Sequence, residues 1–239
     1  MDDIQDILAS VSKPSIPQRT RDLQALTRAW VNERTSPELL PYPVDLVERV
    51  TDRIETQIET IEEMTGTMDP KSNFTLVILQ TELERFKFLV RSFLRARIAK
   101  VRARRGFITS KELMKTVQID KYALHYRQIA QTDPTILSPL EQQYLQSHQA
   151  LLASHYSASF LSSFPQALQK LDDTSGGTSM VDKPDEDSAV FCRLLRDAGS
   201  VEIQSEGGAA DVDLKRGDVW VLRWSAVKDS VVTGDVELT

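Results

Sequence analysis

The sequence predicts a mainly α protein: a bundle of long helices over residues 19–171, then a small β-rich domain over 188–239. Three observations carry this. No proline or glycine lies between Lys71 and Arg105, and that run is amphipathic at a helical period. The stretch from Asp172 to Asp187 is poor in apolar residues and rich in Gly, Ser, Thr and acid, the composition of a flexible linker. Beyond it the apolar period shortens to two, with Gly-bearing turns between short runs.

Composition narrows the class. The 239 residues are 41% hydrophobic and 27% charged, ordinary for a globular protein, and the net charge of −6 argues against a dedicated nucleic-acid binder. A single cysteine, Cys192, excludes an intramolecular disulfide framework and suits a reducing compartment. No apolar run approaches the ~20 residues that span a bilayer, and the acidic N-terminus lacks a signal-peptide pattern. The expectation is a soluble intracellular protein.

Residues 1–18 read as a tail. Ile4, Ile7, Leu8 and Val11 stand at i, i+3, i+4, i+7 among Asp2, Asp3 and Asp6, ahead of Pro14 and Pro17. A helix this short is marginal alone. It is either a frayed terminus or a tethered ligand for a partner's groove. The first body helix, Thr20–Arg34, carries Leu23, Leu26 and Trp30 on one stripe and ends before Pro37. Trp30 is core or an interface anchor. The second, Pro41–Thr65, has a seam of Val47, Val50, Ile54, Ile58 and Ile61 beside an acidic face.

The third helix, about Lys71 to Lys100, places Leu76, Leu79, Leu83, Phe86, Val90 and Phe93 on one face. Leu89, Leu94 and Ile98 widen that face, and Arg85, Lys87, Arg91, Arg95, Arg97 and Lys100 fill the other sides. At 1.5 Å per residue it covers roughly 50 Å, too long and too broadly apolar for one small bundle, so partner chains are expected to cover part of it. Antiparallel pairing with the acidic second helix would neutralise Arg85 and Arg91.

Ile119–Gln131 continues as helix until Asp133-Pro134. Ser138-Pro139-Leu140-Glu141 then forms a capping box with proline at the first helical position. Leu140, Tyr144, Leu145, Leu151, Leu152 and Tyr156 are expected on the buried side of that helix. His148 and His155 share a face but have no Cys or carboxylate at ligand spacing, so no metal is expected. Gln166–Leu171 suggests a short further helix. Strands are expected at 190–196, 201–204, 211–214, 219–223 and 236–238, with a helix over 225–232. A domain of about 50 residues has a marginal core and is expected to dock onto something.

Three blocks then stand out: Leu83-Glu84-Arg85, Lys87-Phe88, Arg91-Ser92-Phe93-Leu94-Arg95, Arg97-Ile98 and Lys100; Leu26, Ala29-Trp30, Asn32-Glu33 and Pro37-Glu38-Leu39-Leu40; and Lys183-Pro184-Asp185, Asp187-Ser188, Val190-Phe191 and Arg193. Leu214-Lys215-Arg216-Gly217 and Leu222-Arg223-Trp224 add to the third. Together they resemble the GINS family of eukaryotic DNA replication subunits, in its Sld-five type. In that family the arginine-rich block leads almost directly into the pattern seen here as Ile119-Asp120-Lys121-Tyr122, His125 and Tyr126. Residues 101–118 therefore read as a basic insertion, either a true loop or a gene-model error.

The resemblance implies a helical A domain and a β-rich B domain. It implies a non-enzymatic, nuclear subunit of a heterotetramer with Psf-one, Psf-two and Psf-three types. That complex joins the Cdc-forty-five protein and the MCM ring in the replicative helicase, which acts in initiation and elongation. Trp30, Leu83, Phe86, Val90, Phe93, Leu94, Phe191, Leu222 and Trp224 are the expected subunit contacts. Ile4, Asp6, Ile7, Leu8 and Val11 are similar to a family peptide, I-D-D-I-L-A-E-L, that docks on the trimeric hub called Ctf-four or And-one. No phosphate loop, nucleophile elbow or zinc spacing is present, so no catalytic residue, cofactor or metal is expected. The alternative is a DNA-binding accessory protein using Arg95, Arg97, Lys100, Arg102, Arg104 and Arg105.

Overall fold

Local chemistry sets the helix boundaries. In the computed structural model, which describes residues 17–66, 72–102, 122–166, 169, 181, 183–197, 199–205 and 208–239, α1 (Gln18–Thr35) ends just before Ser36-Pro37, and α2 (Val44–Gly66) begins just after Pro43. The third helix, α3 (Ser72–Arg102), runs unbroken as its composition predicts. A short α4 (Ala123–Thr132) and α5 (Pro139–Ser159) follow, with a 3₁₀ turn at Leu161–Ser163.

The capping box forms: Glu141 N donates to Ser138 Oγ at 3.2 Å, and Ser138 N donates to Glu141 Oε2 at 2.9 Å. Such a cap contributes about 1 kcal/mol. The hub peptide, the insertion beyond Arg102 and most of the linker lie outside the described residues. Among the described residues, no helix is long and apolar enough to cross a membrane.

The C-terminal part contains β1 (Ala189–Leu194), β2 (Gly199–Ser205), β3 (Gly208–Leu214), β4 (Val219–Arg223), α6 (Trp224–Thr233) and β5 (Val236–Leu238). Central β1 pairs antiparallel with β4 and β5, while β2 and β3 form a separate hairpin. The register places Phe191 opposite Val221 and Cys192 opposite Trp220. Strand β1 alternates strictly, with Val190, Cys192 and Leu194 inside. Gly234 closes α6 at φ 81°, a left-handed value that favours glycine, and its N–H bonds the carbonyls of Ser230 and Val231.

Two compact units divide the chain. The first takes α1 through Arg28, α2 from Asp45 and α3 through Leu89. Its buried apolar residues are Leu26, Leu46, Val47, Val50, Leu83, Phe86 and Leu89. Asp22 is buried there, held by Gln18 Nε2 at 2.9 Å, with Arg49 Nε at 3.5 Å and Arg53 Nη2 at 3.2 Å. The charge pairing expected between α2 and α3 is thus made by α2 arginines with α1, while Arg85 and Arg91 stay exposed.

The second unit takes residues 29–44 and 90–239. It has two apolar clusters. Leu39, Tyr126, Leu137 and Leu145 form one, between α4 and α5. Val190, Cys192, Leu194, Leu214, Leu222, Trp224, Val227, Val231, Val236 and Leu238 form the other, with Leu40 and Trp220 packed against it. The neighbouring leucines 39 and 40 therefore enter different cores. On α5 the expected buried side is only partly inside: Leu145 is buried, but Leu140 and Leu151 face solvent. Amphipathic spacing marks a stripe without saying which chain covers it.

Candidate functional site

The densest polar construction in the second unit surrounds Arg97, wholly buried near the end of α3. Its Nε donates to Glu141 Oε1 at 2.8 Å. Its Nη1 donates to Glu33 Oε2 at 2.9 Å and to the Leu40 carbonyl at 2.8 Å. Its Nη2 donates to the Ile136 carbonyl at 2.5 Å and to Glu141 Oε2 at 3.2 Å. A guanidinium has five N–H donors, and all five are engaged. The group also lies 5.1 Å from the Tyr42 ring centroid and 5.6 Å from that of Phe93, cation–π distances.

One turn on, Lys100 uses its three donors as fully. Nζ reaches Glu33 Oε1 at 2.9 Å, Ser36 Oγ at 2.6 Å and the Glu38 carbonyl at 2.8 Å. Burial pulls the Arg97 pKa down, but the hydrogen bonds and charges of Glu141 and Glu33 more than reverse it, so it stands above the ordinary arginine value. For Lys100 burial prevails and the pKa falls, despite Glu33. These two cations are thereby removed from the set expected to meet DNA: neither has a proton left for a phosphate. Of that set Arg95 is exposed. The Arg102 side chain, Arg104 and Arg105 lie outside the described side chains.

The segment 36–40 carries the construction into the β layer. Glu38 Oε2 accepts from Trp224 Nε1 at 3.1 Å and from Lys228 Nζ at 2.6 Å. Asn32 Oδ1 accepts from the Leu238 backbone N–H at 2.8 Å, and Leu39 N donates to Tyr126 Oη at 3.3 Å. Four of its five residues are therefore fixed on different sides: Ser36 by α3, Glu38 by α6, Leu39 by the α4–α5 cluster and Leu40 by the β cluster. Glu33, Glu38 and Glu141 balance Arg97, Lys100 and Lys228. Every carboxylate faces a cation and no reacting group is left open, so the arrangement is a clamp in chemical terms.

Burial pushes the Glu38 pKa up, but hydrogen bonds from Lys228 and Trp224 outweigh it and hold the group below the ordinary glutamate value. A depressed carboxylate contributes stability that is complete above its unfolded pKa and is lost as pH falls through the lower folded value. His125, buried beside Tyr126, is likewise depressed by burial, and the nearby Lys183 and Lys228 add to this against Glu38. It too favours the fold above the ordinary histidine value. Stability should decline in two acid steps, His125 first and Glu38 second. Thermal melting between about pH 7 and pH 3 checks this. Glu38→Gln should flatten the lower step and, by removing the negative charge that raises His125, move the upper step to lower pH; an unchanged lower step would refute the role of Glu38.

Several predicted contact residues are core of this chain. Leu83, Phe86, Phe93, Leu222 and Trp224 are buried within it, which corrects their assignment to a surface. Phe191 is 59% exposed on the outer face of the sheet, while Trp30, Val90 and Leu94 are half-buried. What α3 does expose is a second stripe: Phe74 at 75%, Val77, Ile78 and Phe88 at 57%. Sequence reading missed Asn32, Glu33, Glu38 and Glu141 as a group, although the blocks containing most of them were already conspicuous.

A family model described as "GINS complex protein helical bundle domain" matches residues 50–160, and one described as "DNA replication complex GINS protein SLD5 C-terminus" matches residues 184–239. The chain is 50% identical over 241 residues to the DNA replication complex GINS protein SLD5 of Chaetomium globosum, with 99% of each chain covered. It is 40% identical over 220 residues to that of Schizosaccharomyces pombe, with 91% of each covered. With that of Yarrowia lipolytica it shares 35% identity over 242 residues, 98% of this chain and 84% of the other.

Proposed function

The chain belongs to the SLD5 family of GINS proteins of DNA replication, and from that membership we propose that it is a structural, non-catalytic subunit of a GINS heterotetramer. Its partners are subunits of the Psf-one, Psf-two and Psf-three types. The assembly acts in the nucleus with the Cdc-forty-five protein and the MCM ring, in initiation and elongation, and ATP hydrolysis belongs to MCM. Residues 19–171 serve as the A domain, 172–187 as linker and 188–239 as the B domain. The hub contact through Ile4, Asp6, Ile7, Leu8 and Val11 is part of the same proposal and rests on sequence alone.

The observation that carries the reading is the outer stripe of α3. Phe74, Ile78, Thr81, Arg85 and Phe88 follow one another at four, three, four and three residues, with Val77 beside Ile78, and the apolar members are exposed. A stripe of that size in water favours association, at about 25 cal/mol per Å² of apolar surface removed. Arg85 within it and Arg95 beyond it would set register against a partner's carboxylates.

Co-expression with the three partner-type subunits, followed by sizing, tests the proposal. One complex holding all four chains is expected, and it should persist as salt is raised. Binding through phosphates would instead weaken with a log–log slope near −0.9 per phosphate on duplex DNA. A stable, fully helical, monodisperse monomer would count against the reading.

A further inference from the structure

Helix α5 presents a surface unlike the rest of the chain. From Gln142 to Gln169 the sequence has no Asp, Glu, Lys or Arg, although 27% of the chain is charged. The one carboxylate of α5, Glu141, is turned inward onto Arg97. Yet most of the helix beyond it is exposed. A solvated helix face ordinarily carries lysine and glutamate. Depletion of charge together with large apolar residues is instead the composition of an interface centre.

One face of the helix, apolar or small and mostly exposed, also has a pattern. Leu140, Tyr144, Ser147, Leu151, Ser154 and Ala158 succeed one another at four, three, four, three and four residues. Leu140 is 77% and Leu151 69% exposed. That is a heptad-like seam, the spacing that one helix offers another, whereas an extended peptide would be met by a period of two. Ser147, Ser154 and Ala158 are small, so a second backbone can come close between the leucines. The helix of 21 residues offers roughly 31 Å of such a seam.

We infer that this seam is covered by one amphipathic helix of another GINS subunit, and that the facing side of that helix is itself free of charge. The inference rests on the preceding reading and adds the surface and the chemistry of its occupant. A lysine or glutamate carried onto the seam would lose its water and find no opposite charge there. The facing side is therefore aliphatic, aromatic or neutral polar. This distinguishes it from the α3 stripe, where arginines share the surface.

The test uses co-expression of the full chain with the three partner-type subunits, read by co-purification and sizing. Leu140→Glu with Leu151→Glu should remove this subunit from the complex. Leu140→Ala with Leu151→Ala, which adds no charge and keeps the helix, should weaken its retention by roughly thirtyfold. Gln146→Glu with Ala153→Glu, the same charge at exposed positions turned away from the seam, should assemble as wild type. Wild-type assembly by both leucine variants would overturn the inference. So would equal failure of the Gln146/Ala153 control. A homodimer of the wild-type chain that the glutamate pair dissolves, with the four-chain complex intact, would make the occupant a second copy and overturn it as well. Failure of the wild-type chain to assemble would instead defeat the heterotetramer reading, and this inference with it.

Discussion

Replacing Arg97 with alanine should destabilise the chain by about 3–5 kcal/mol, the cost of breaking a buried ion pair by removing one partner. The reason is what stays behind. Glu33 and Glu141 are buried; without the guanidinium, Glu141 loses its cation, and Glu33 keeps only Lys100. The carbonyls of Leu40 and Ile136 lose their donor at the same time. Because Glu141 also closes the capping box, the start of α5 should loosen with it. On a unit of this size 1 kcal/mol corresponds to about 2–4 °C, so the assembled complex should melt roughly 10 °C lower.

Arg97→Lys should recover only part of this loss, since an ammonium has three donors and no fork. Combining Arg97→Met with Glu141→Gln should recover more, because it removes the stranded charge and leaves Glu33 paired with Lys100. An Arg97→Ala complex that melts within about 2 °C of wild type would refute the account.

The role of Arg97 illustrates what a sequence of this kind conceals. Periodicity sufficed for α1, α3, the alternation in β1 and the turn into α6, because those features depend on neighbours within a few residues. The Ser138–Glu141 capping box was legible for the same reason. Arg97, by contrast, sits in a run of basic residues that reads as a cationic face. Its partners Glu33 and Glu141 lie 64 and 44 residues away along the chain, and no local pattern announces them. The same holds for Leu39 and Leu40, identical neighbours whose destinations differ only because the segment crosses between two cores.

The inward stripe of α3 was correctly placed on one face, but burial inside the chain and burial under a partner follow the same period. Leu83, Phe86 and Phe93 proved to be the first kind, while Phe74, Val77 and Phe88 carry the exposure expected of the second. On α5 the usable signal lies in composition. The run without charge from Gln142 to Gln169 says more about the surroundings of that helix than the spacing of its leucines does.

Trp224→Ala should be the other severe substitution, at about 3–5 kcal/mol for emptying a fully buried aromatic site. Trp224 starts α6 at the end of β4, and its backbone N–H is fixed to the Ser188 carbonyl at 2.9 Å. Its ring is part of the β cluster, and its indole N–H is one of two donors to the buried Glu38 carboxylate. The alanine variant therefore combines a cavity with a weakened anchor.

Trp224→Phe separates the two effects. It refills most of the volume and leaves Glu38 to Lys228 alone, so it should cost about 1–3 kcal/mol, the range for a buried acceptor that loses a donor. Amide exchange gives the local readout: β1, β4 and the Leu238 N–H should lose protection in the alanine variant, because Glu38 and Asn32 hold the β layer from the same stretch of chain. A double-mutant cycle of Trp224→Phe with Glu38→Gln should show coupling of about 0.5–3 kcal/mol, since each change removes the other's partner. Additive losses, or β-layer protection that survives Trp224→Ala, would mean that the tryptophan fills space and the Glu38 contact contributes little.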